Sequence, residues 1–199
     1  MKEVTITSTT GKRRVSIPET WEEVTVDQFQ RIHASDKGII TIFSILSNME
    51  YDSIYESTDR RLEEALYSTI KFTSTPLSTE VPKMVTFDKV EFKVPDKVGS
   101  LSIGQNIHVR EKFSTVTSYE EVISTAFCVY LQPLIHKCKF DYDKAMELHD
   151  RVLKMPITEI YAIGFFLLKP LVSGGKGFIS QWLRIFIHSI LNSRRNGRA

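Results

Sequence analysis

The stretch Val15-Ser16-Ile17-Pro18-Glu19-Thr20-Trp21-Glu22-Glu23-Val24-Thr25-Val26-Asp27-Gln28 decides how the chain is read. Upstream of it, Val4 and Ile6 mirror Val15 and Ile17, alternating with polar residues on either side of Thr10-Gly11-Lys12, which is the pattern of a β-hairpin. Pro18 has no N–H to give a ladder and ends the second strand. Thr25-Val26-Asp27-Gln28 then has the Ser/Thr-x-x-Glu/Gln form of a capping box. In that motif a hydroxyl and a side-chain amide satisfy N–H groups that a helix start leaves without partners. The spacing predicts a short helix through Phe29 and Ile32.

The same order returns 77 residues later, without a gap. Phe87 and Phe92-Lys93-Val94 flank Asp88-Lys89, a second hairpin signal; Pro95 ends it, and Ser102-Ile103-Gly104-Gln105 supplies a second capping box. Val15 aligns with Phe92, Ile17 with Val94, Pro18 with Pro95, Val24 with Leu101, Gln28 with Gln105 and Ile32 with Val109. Helical patterns follow in both halves. They cover about 38–48 and 58–71 in the first. In the second, Ser118-Tyr119-Glu120-Glu121 is expected to cap a helix carrying Val122, Ile123, Ala126, Phe127, Tyr130, Leu131 and Leu134, and Asp141 to open another through Met146, Leu148 and Leu153. The expected fold class is therefore α+β and helix-rich, with two similar hairpin-plus-helices halves, residues 1–76 and 77–155, followed by a C-terminal helical extension, 156–199. The competing reading is two unrelated hairpin-to-helix junctions that share common turn chemistry.

The extension is apolar and basic. Phe178, Ile179, Trp182, Leu183, Phe186, Ile187, Ile190 and Leu191 recur along one helical face, with Ser180, Gln181, Arg184, His188 and Asn192 opposite. Such a face packs on the chain's own core or on a partner; for a partner, Trp182, Phe186 and Ile190 are the candidate anchors, and Arg194, Arg195 and Arg198 the candidate charges. The same arginines also complement the dipole of a preceding helix. The formal charge of +2 over 199 residues hides this asymmetry: no acid follows Glu159, and Lys169, Lys176, Arg184, Arg194, Arg195 and Arg198 all do. Residues 1–159 hold 20 basic and 24 acidic residues. An acidic body with a basic end points to an anionic partner or an acidic neighbouring surface.

Composition narrows the function classes. With 42% apolar and 25% charged residues the chain reads as globular, and neither disorder nor low complexity fits. Cys128 and Cys138 are too few for a disulfide scaffold. The start MKEVTITSTTGKRR lacks the apolar core of a secretory signal. The apolar stretches Ile160–Val172 and Phe178–Leu191 are interrupted by Lys169-Pro170 and by the glycines at 174–177, so no membrane span is expected. A helix lying on a membrane surface stays open.

Gly174-Gly175-Lys176-Gly177 has Pro170 where a phosphate loop needs its first Gly, and Gly177 where it needs Ser or Thr. Cys128, His136, Cys138 and His149 are zinc-ligand types at spacings that match no structural zinc pattern, and Asp141-x-Asp143 is too short for a calcium loop. Glu22-Glu23 and Glu120-Glu121 stand at expected helix starts, where negative charge suits the dipole. No catalytic residue, cofactor-binding residue or metal ligand is assigned. An acidic body argues against sequence-specific nucleic-acid binding.

Ile17-Pro18-Glu19-Thr20-Trp21-Glu22-Glu23-Val24-Thr25-Val26-Asp27-Gln28-Phe29, followed later by Leu101-Ser102-Ile103-Gly104-Gln105, resembles small neck and tail morphogenesis proteins of tailed bacteriophages of Bacteroidetes, crAss-like phages among them. The likeness covers roughly 15–32 and 85–113; it departs at Asn106-Ile107-His108, where a more acidic continuation is expected. It implies a non-enzymatic structural subunit of the virion, a neck or tail ring or connector protein assembled in the bacterial host cytoplasm. Its implied partners are copies of itself in a ring-like homo-oligomer and other phage neck or tail proteins. Two alternatives remain: a tail assembly chaperone absent from the mature virion, and an uncatalogued enzyme or nucleic-acid-binding module.

Overall fold

The computed structural model describes residues 1–8, 11–36, 38–94, 101–116 and 120–173. It is a helix-rich α+β fold with two small antiparallel hairpins. Strands β1 (Lys2–Ser8) and β2 (Gly11–Ile17) pair with Val4 opposite Val15. Gly11, expected in the turn, already pairs with Ser8 as the first residue of β2. The alternating pattern buries Val4, Val15 and Ile17 on one face.

A 3-10 turn at Trp21–Glu23 leads into α1 (Val26–Ala34). Its capping box forms as expected: the Thr25 hydroxyl accepts from the Gln28 N–H at 3.2 Å, and Gln28 Oε1 accepts from the Thr25 N–H at 3.0 Å. Helices α2 (Ile39–Ser47), α3 (Tyr51–Tyr55) and α4 (Arg60–Thr73) follow, and α2 ends on Asn48 in the left-handed region. The α3 turn has no counterpart among the expected elements. Phe43, Met49, Ile54, Leu62 and Ala65 close over the buried face of the first hairpin as a separate apolar cluster.

Strands β3 (Met84–Phe87) and β4 (Val90–Lys93) make the second hairpin, shorter than the first. Asp88 and Lys89 form its two-residue turn with φ of 50° and 66°, the positive pair that suits the twist of a tight hairpin. The second capping box, at Ser102 and Gln105, opens α5 (Ile103–Ser114) with the same reciprocal bonds, at 3.3 and 2.8 Å.

Helix α6 (Ile123–His136) is preceded by a 3-10 turn at Glu120–Val122, and its N-cap is Val122, which makes no side-chain cap bond. This corrects the expectation of a helix capped from Ser118; residue 118 itself lies outside the described residues. Asp141 does cap α7 (Tyr142–Met146), accepting from the Lys144 N–H at 3.3 Å. The helix expected to run on to Leu153 is instead broken: α8 (His149–Val152) is separate, and at the junction Leu148 and Arg151 donate to carbonyls only three residues back. Helix α9 (Ile157–Ser173) completes the described chain and carries Pro170 within it.

The main core spans both hairpin-bearing segments and α9. Helices α6 and α9 pack so closely that a Cβ on Gly164 would stand 2.7 Å from Ile123 Cγ2. The quoted N-terminal stretch is tied to the start of α9: Val26 N–H donates to Met155 O, Asp27 N–H to Leu153 O, and Ile157 N–H to Val24 O at 2.8–3.0 Å. Trp21 stands edge-on to Phe29 and Phe72, and its indole N–H donates to Thr75 O at 2.8 Å. The second hairpin is held at its tip by an Arg151–Asp88 ion pair, with the Arg151 guanidinium 4.9 Å from the Phe87 ring centroid.

Candidate functional site

The residues expected to bind a partner, Trp182, Phe186, Ile190, Arg194, Arg195 and Arg198, lie outside the described residues, as does Gly174–Gly177. The described residues offer two other places, a polar crossing inside the body and an unpartnered surface on it.

The polar crossing joins α1, α6 and α8. Ser124, in the first turn of α6 and buried, stands 3.0 Å from His149 Nε2 and 3.2 Å from Gln30 Oε1. A serine beside a histidine invites comparison with an activated nucleophile, and the proton positions decide against it. Gln30 Nε2 donates to the carbonyls of Glu120 and Glu121 at 3.1 and 2.8 Å, which fixes the amide so that its oxygen faces Ser124. An amide oxygen only accepts, so the Ser124 hydroxyl donates to it. His149 Nε2 must then carry a proton and donate to Ser124 Oγ. A base in that tautomer has no free lone pair toward the serine and cannot take its proton. The crossing therefore works as a three-way tie between helices. Burial pushes the His149 pKa down, partly opposed by Asp150, while Lys112 adds to the depression. His33, one turn along α1 from Gln30, lies 3.5 Å from the Glu120 carboxylate.

The four zinc-type residues are not brought together: among the described residues no group of three or more His, Cys, Asp or Glu is placed to hold a metal. Cys128 is buried in α6, and its thiol pKa is pushed up to about 12 by desolvation. Cys138 is exposed and accepts a hydrogen bond from Gln132 Nε2 at 3.4 Å. Glu22 and Glu23 lie in the 3-10 turn before α1 and Glu120 and Glu121 in the one before α6. The Thr20 hydroxyl holds the Glu22 carboxyl below its ordinary value. Between the first hairpin and the α1–α2 pair lies an open cleft of about 280 Å³, bordered by Arg14, Ser16, Gln28 and Asn48.

The surface candidate is aromatic and acidic. Tyr51 and Tyr55, one turn apart on α3, stack with centroids 6.1 Å apart and planes 12° from parallel. Tyr67 on α4 is 65% exposed and Ile70 40%. Glu50, Asp52, Glu56, Glu63 and Glu64 are exposed on the same two helices and their flanks. A second, smaller apolar strip runs along α5, where Ile103 is 81% exposed and Ile107 follows one turn on. The tyrosine pair has a signal in the sequence, aromatic residues at i and i+4 within an acidic run, whereas the Gln30–Ser124–His149 crossing joins positions whose separations carry none. Among the described residues no helix is long and apolar enough to cross a membrane. Comparison of the chain with protein-family models, with curated proteins and with solved structures finds no match.

Proposed function

We propose that the chain is a non-enzymatic structural subunit of a tailed-phage virion, a neck or tail ring or connector protein that acts through protein–protein contacts. The observation that carries this reading is the tyrosine- and isoleucine-bearing surface of α3, α4 and α5. Large aromatic side chains held on helices are the groups that dominate interface energies, because they bury much area for little lost side-chain entropy. The likeness of residues 15–32 and 85–113 to phage neck and tail proteins supplies the setting, and head-to-tail packing of such faces closes rings. In this reading the partners are further copies of the chain and neighbouring neck or tail proteins, and the protein is assembled in the bacterial host cytoplasm and resides in the virion.

Mass spectrometry of purified virions tests the proposal. The chain should be present in a fixed ratio to other neck or tail subunits. Absence from particles whose assembly nevertheless requires the gene would overturn it in favour of a tail assembly chaperone.

A further inference from the structure

We infer that the acidic tyrosine face of α3 and α4 is the docking surface for the C-terminal segment, residues 178–198, of a second copy of this chain. The inference rests on the ring reading above and names the two surfaces that would meet in the ring.

Three observations carry it. The first is a helix face without a partner among the described residues: both α3 and α4 lean on α2, bury Ile54, Leu62, Ala65 and Phe72 inward, and turn Tyr51, Tyr55 and Tyr67 outward. The second is charge. Positions 50–73 hold six acids against Arg60, Arg61 and Lys71, and one of those acids, Asp59, is engaged in capping α4 and pairing with Arg61. Positions 160–199 hold six bases and no acid. The third is the chain that follows α9: residues 178–198 combine four of those bases, Arg184, Arg194, Arg195 and Arg198, with the apolar positions Phe178, Trp182, Phe186 and Ile190.

The chemistries fit each other. Stacked tyrosine rings offer negative π faces to arginine guanidinium groups, and their edges and hydroxyls to an indole. Glu56, Glu63 and Glu64 supply exposed carboxylates on or beside the same two helices, and such charge sets orientation and speeds encounter more than it adds affinity. A contact between two different patches, the helix face of one copy and the end of another, is heterologous and propagates around a ring.

The test is a charge swap with the full chain. Variant A carries Glu56→Lys, Glu63→Lys and Glu64→Lys; variant B carries Arg194→Glu, Arg195→Glu and Arg198→Glu. Sedimentation velocity should show a wild-type oligomer whose dissociation constant rises about tenfold or more between 0.1 and 1 M NaCl. Variants A and B should each be monomeric, and an equimolar mixture should recover the oligomer, because the reversed face of A meets the reversed end of B while the native pair also meets. Far-UV circular dichroism confirms that each variant is folded. A mixture that stays monomeric overturns the inference, whether because the segment docks on its own body or because it docks elsewhere. An oligomer that A and B leave intact also overturns it but leaves the ring reading standing. A wild-type chain that is monomeric at every concentration removes both.

Discussion

Gln105 offers the sharpest test of how this fold is held together. Pro133 sits inside α6 and has no N–H, so the carbonyl of Val129, four residues back, lacks the bond a helix would give it. Val129 is buried with no exposed surface, so water does not fill the gap. Gln105 Nε2 does, at 2.6 Å, while Gln105 Oε1 completes the capping box on Ser102. Gln105→Ala therefore removes two things. It leaves a buried carbonyl unsatisfied, which costs about 1–3 kcal/mol, and it opens half of a capping box at a partly hydrated helix start, which costs about 0.5–1 kcal/mol. The expected loss is about 1.5–4 kcal/mol, a large share of the roughly 5–15 kcal/mol that holds a typical domain folded.

Pro133→Ala separates the two contributions. Alanine restores the N–H that reaches Val129 O, so in that background Gln105→Ala should cost only the capping part, with a coupling of about 1–2 kcal/mol across the double-mutant cycle. Gln105→Glu should be worse than Gln105→Ala, because a carboxylate keeps the cap but turns an oxygen toward a buried carbonyl. Urea unfolding followed by far-UV circular dichroism, with an unchanged m-value, measures each variant. A Gln105→Ala cost under about 0.5 kcal/mol, or the same cost in both backgrounds, would refute the account.

Three further outcomes follow from particular side chains. Gly164→Ala should lower stability by about 1–3 kcal/mol, since its Cβ would press on Ile123, and Ile123→Ala, destabilising by itself, should abolish most of that increment. Thermal melts of the cycle measure this, and an additive result would show that the helices slide apart freely. The lowered pKa of His149 means that the folded state holds its neutral form, so stability is full above the unfolded value near 6.5 and falls as pH drops below it, until the folded pKa is reached. His149→Gln, whose amide can still donate to Ser124, should flatten the loss between pH 7.5 and pH 5.5; an unchanged slope in urea titrations would assign the acid sensitivity to other groups. In the native protein a thiol reagent should modify Cys138 within seconds to minutes and leave Cys128 untouched until unfolding, because a thiol with a pKa of about 12 offers almost no thiolate. Two equally fast thiols would mean that α6 opens readily.

The parts of this fold that were legible in the sequence are those decided by chemistry within a few residues. Both capping boxes, the Asp88-Lys89 turn and the Asp141 cap stand where their residue types require, because each satisfies its own backbone locally. The start of α6 departs from its local pattern: Ser118-Tyr119-Glu120-Glu121 has the form of a cap, yet the helix begins at Ile123 after a 3-10 turn whose Glu120 and Glu121 carbonyls accept from Gln30, about ninety residues away. Local grammar carried no sign of that partner. The break between α7 and α8 is similar, since the apolar spacing of Met146, Leu148 and Leu153 fits one helix as well as two.

The two capping-box glutamines show where local and long-range structure meet. Gln28 and Gln105 each use the side-chain oxygen at their own helix start and the side-chain nitrogen on a distant carbonyl, Leu46 O at 3.2 Å and Val129 O at 2.6 Å. Both carbonyls need an outside donor, the first because α2 ends at Ser47 and the second because of Pro133. Glutamate would serve the cap in either place but would have nothing to donate. The choice of glutamine at both positions is therefore explained by the tertiary bond, and the cap alone does not require it. A proline inside an apolar helical run states in the sequence that one carbonyl four residues earlier must find another donor; which side chain answers is decided only when α5 is laid against α6.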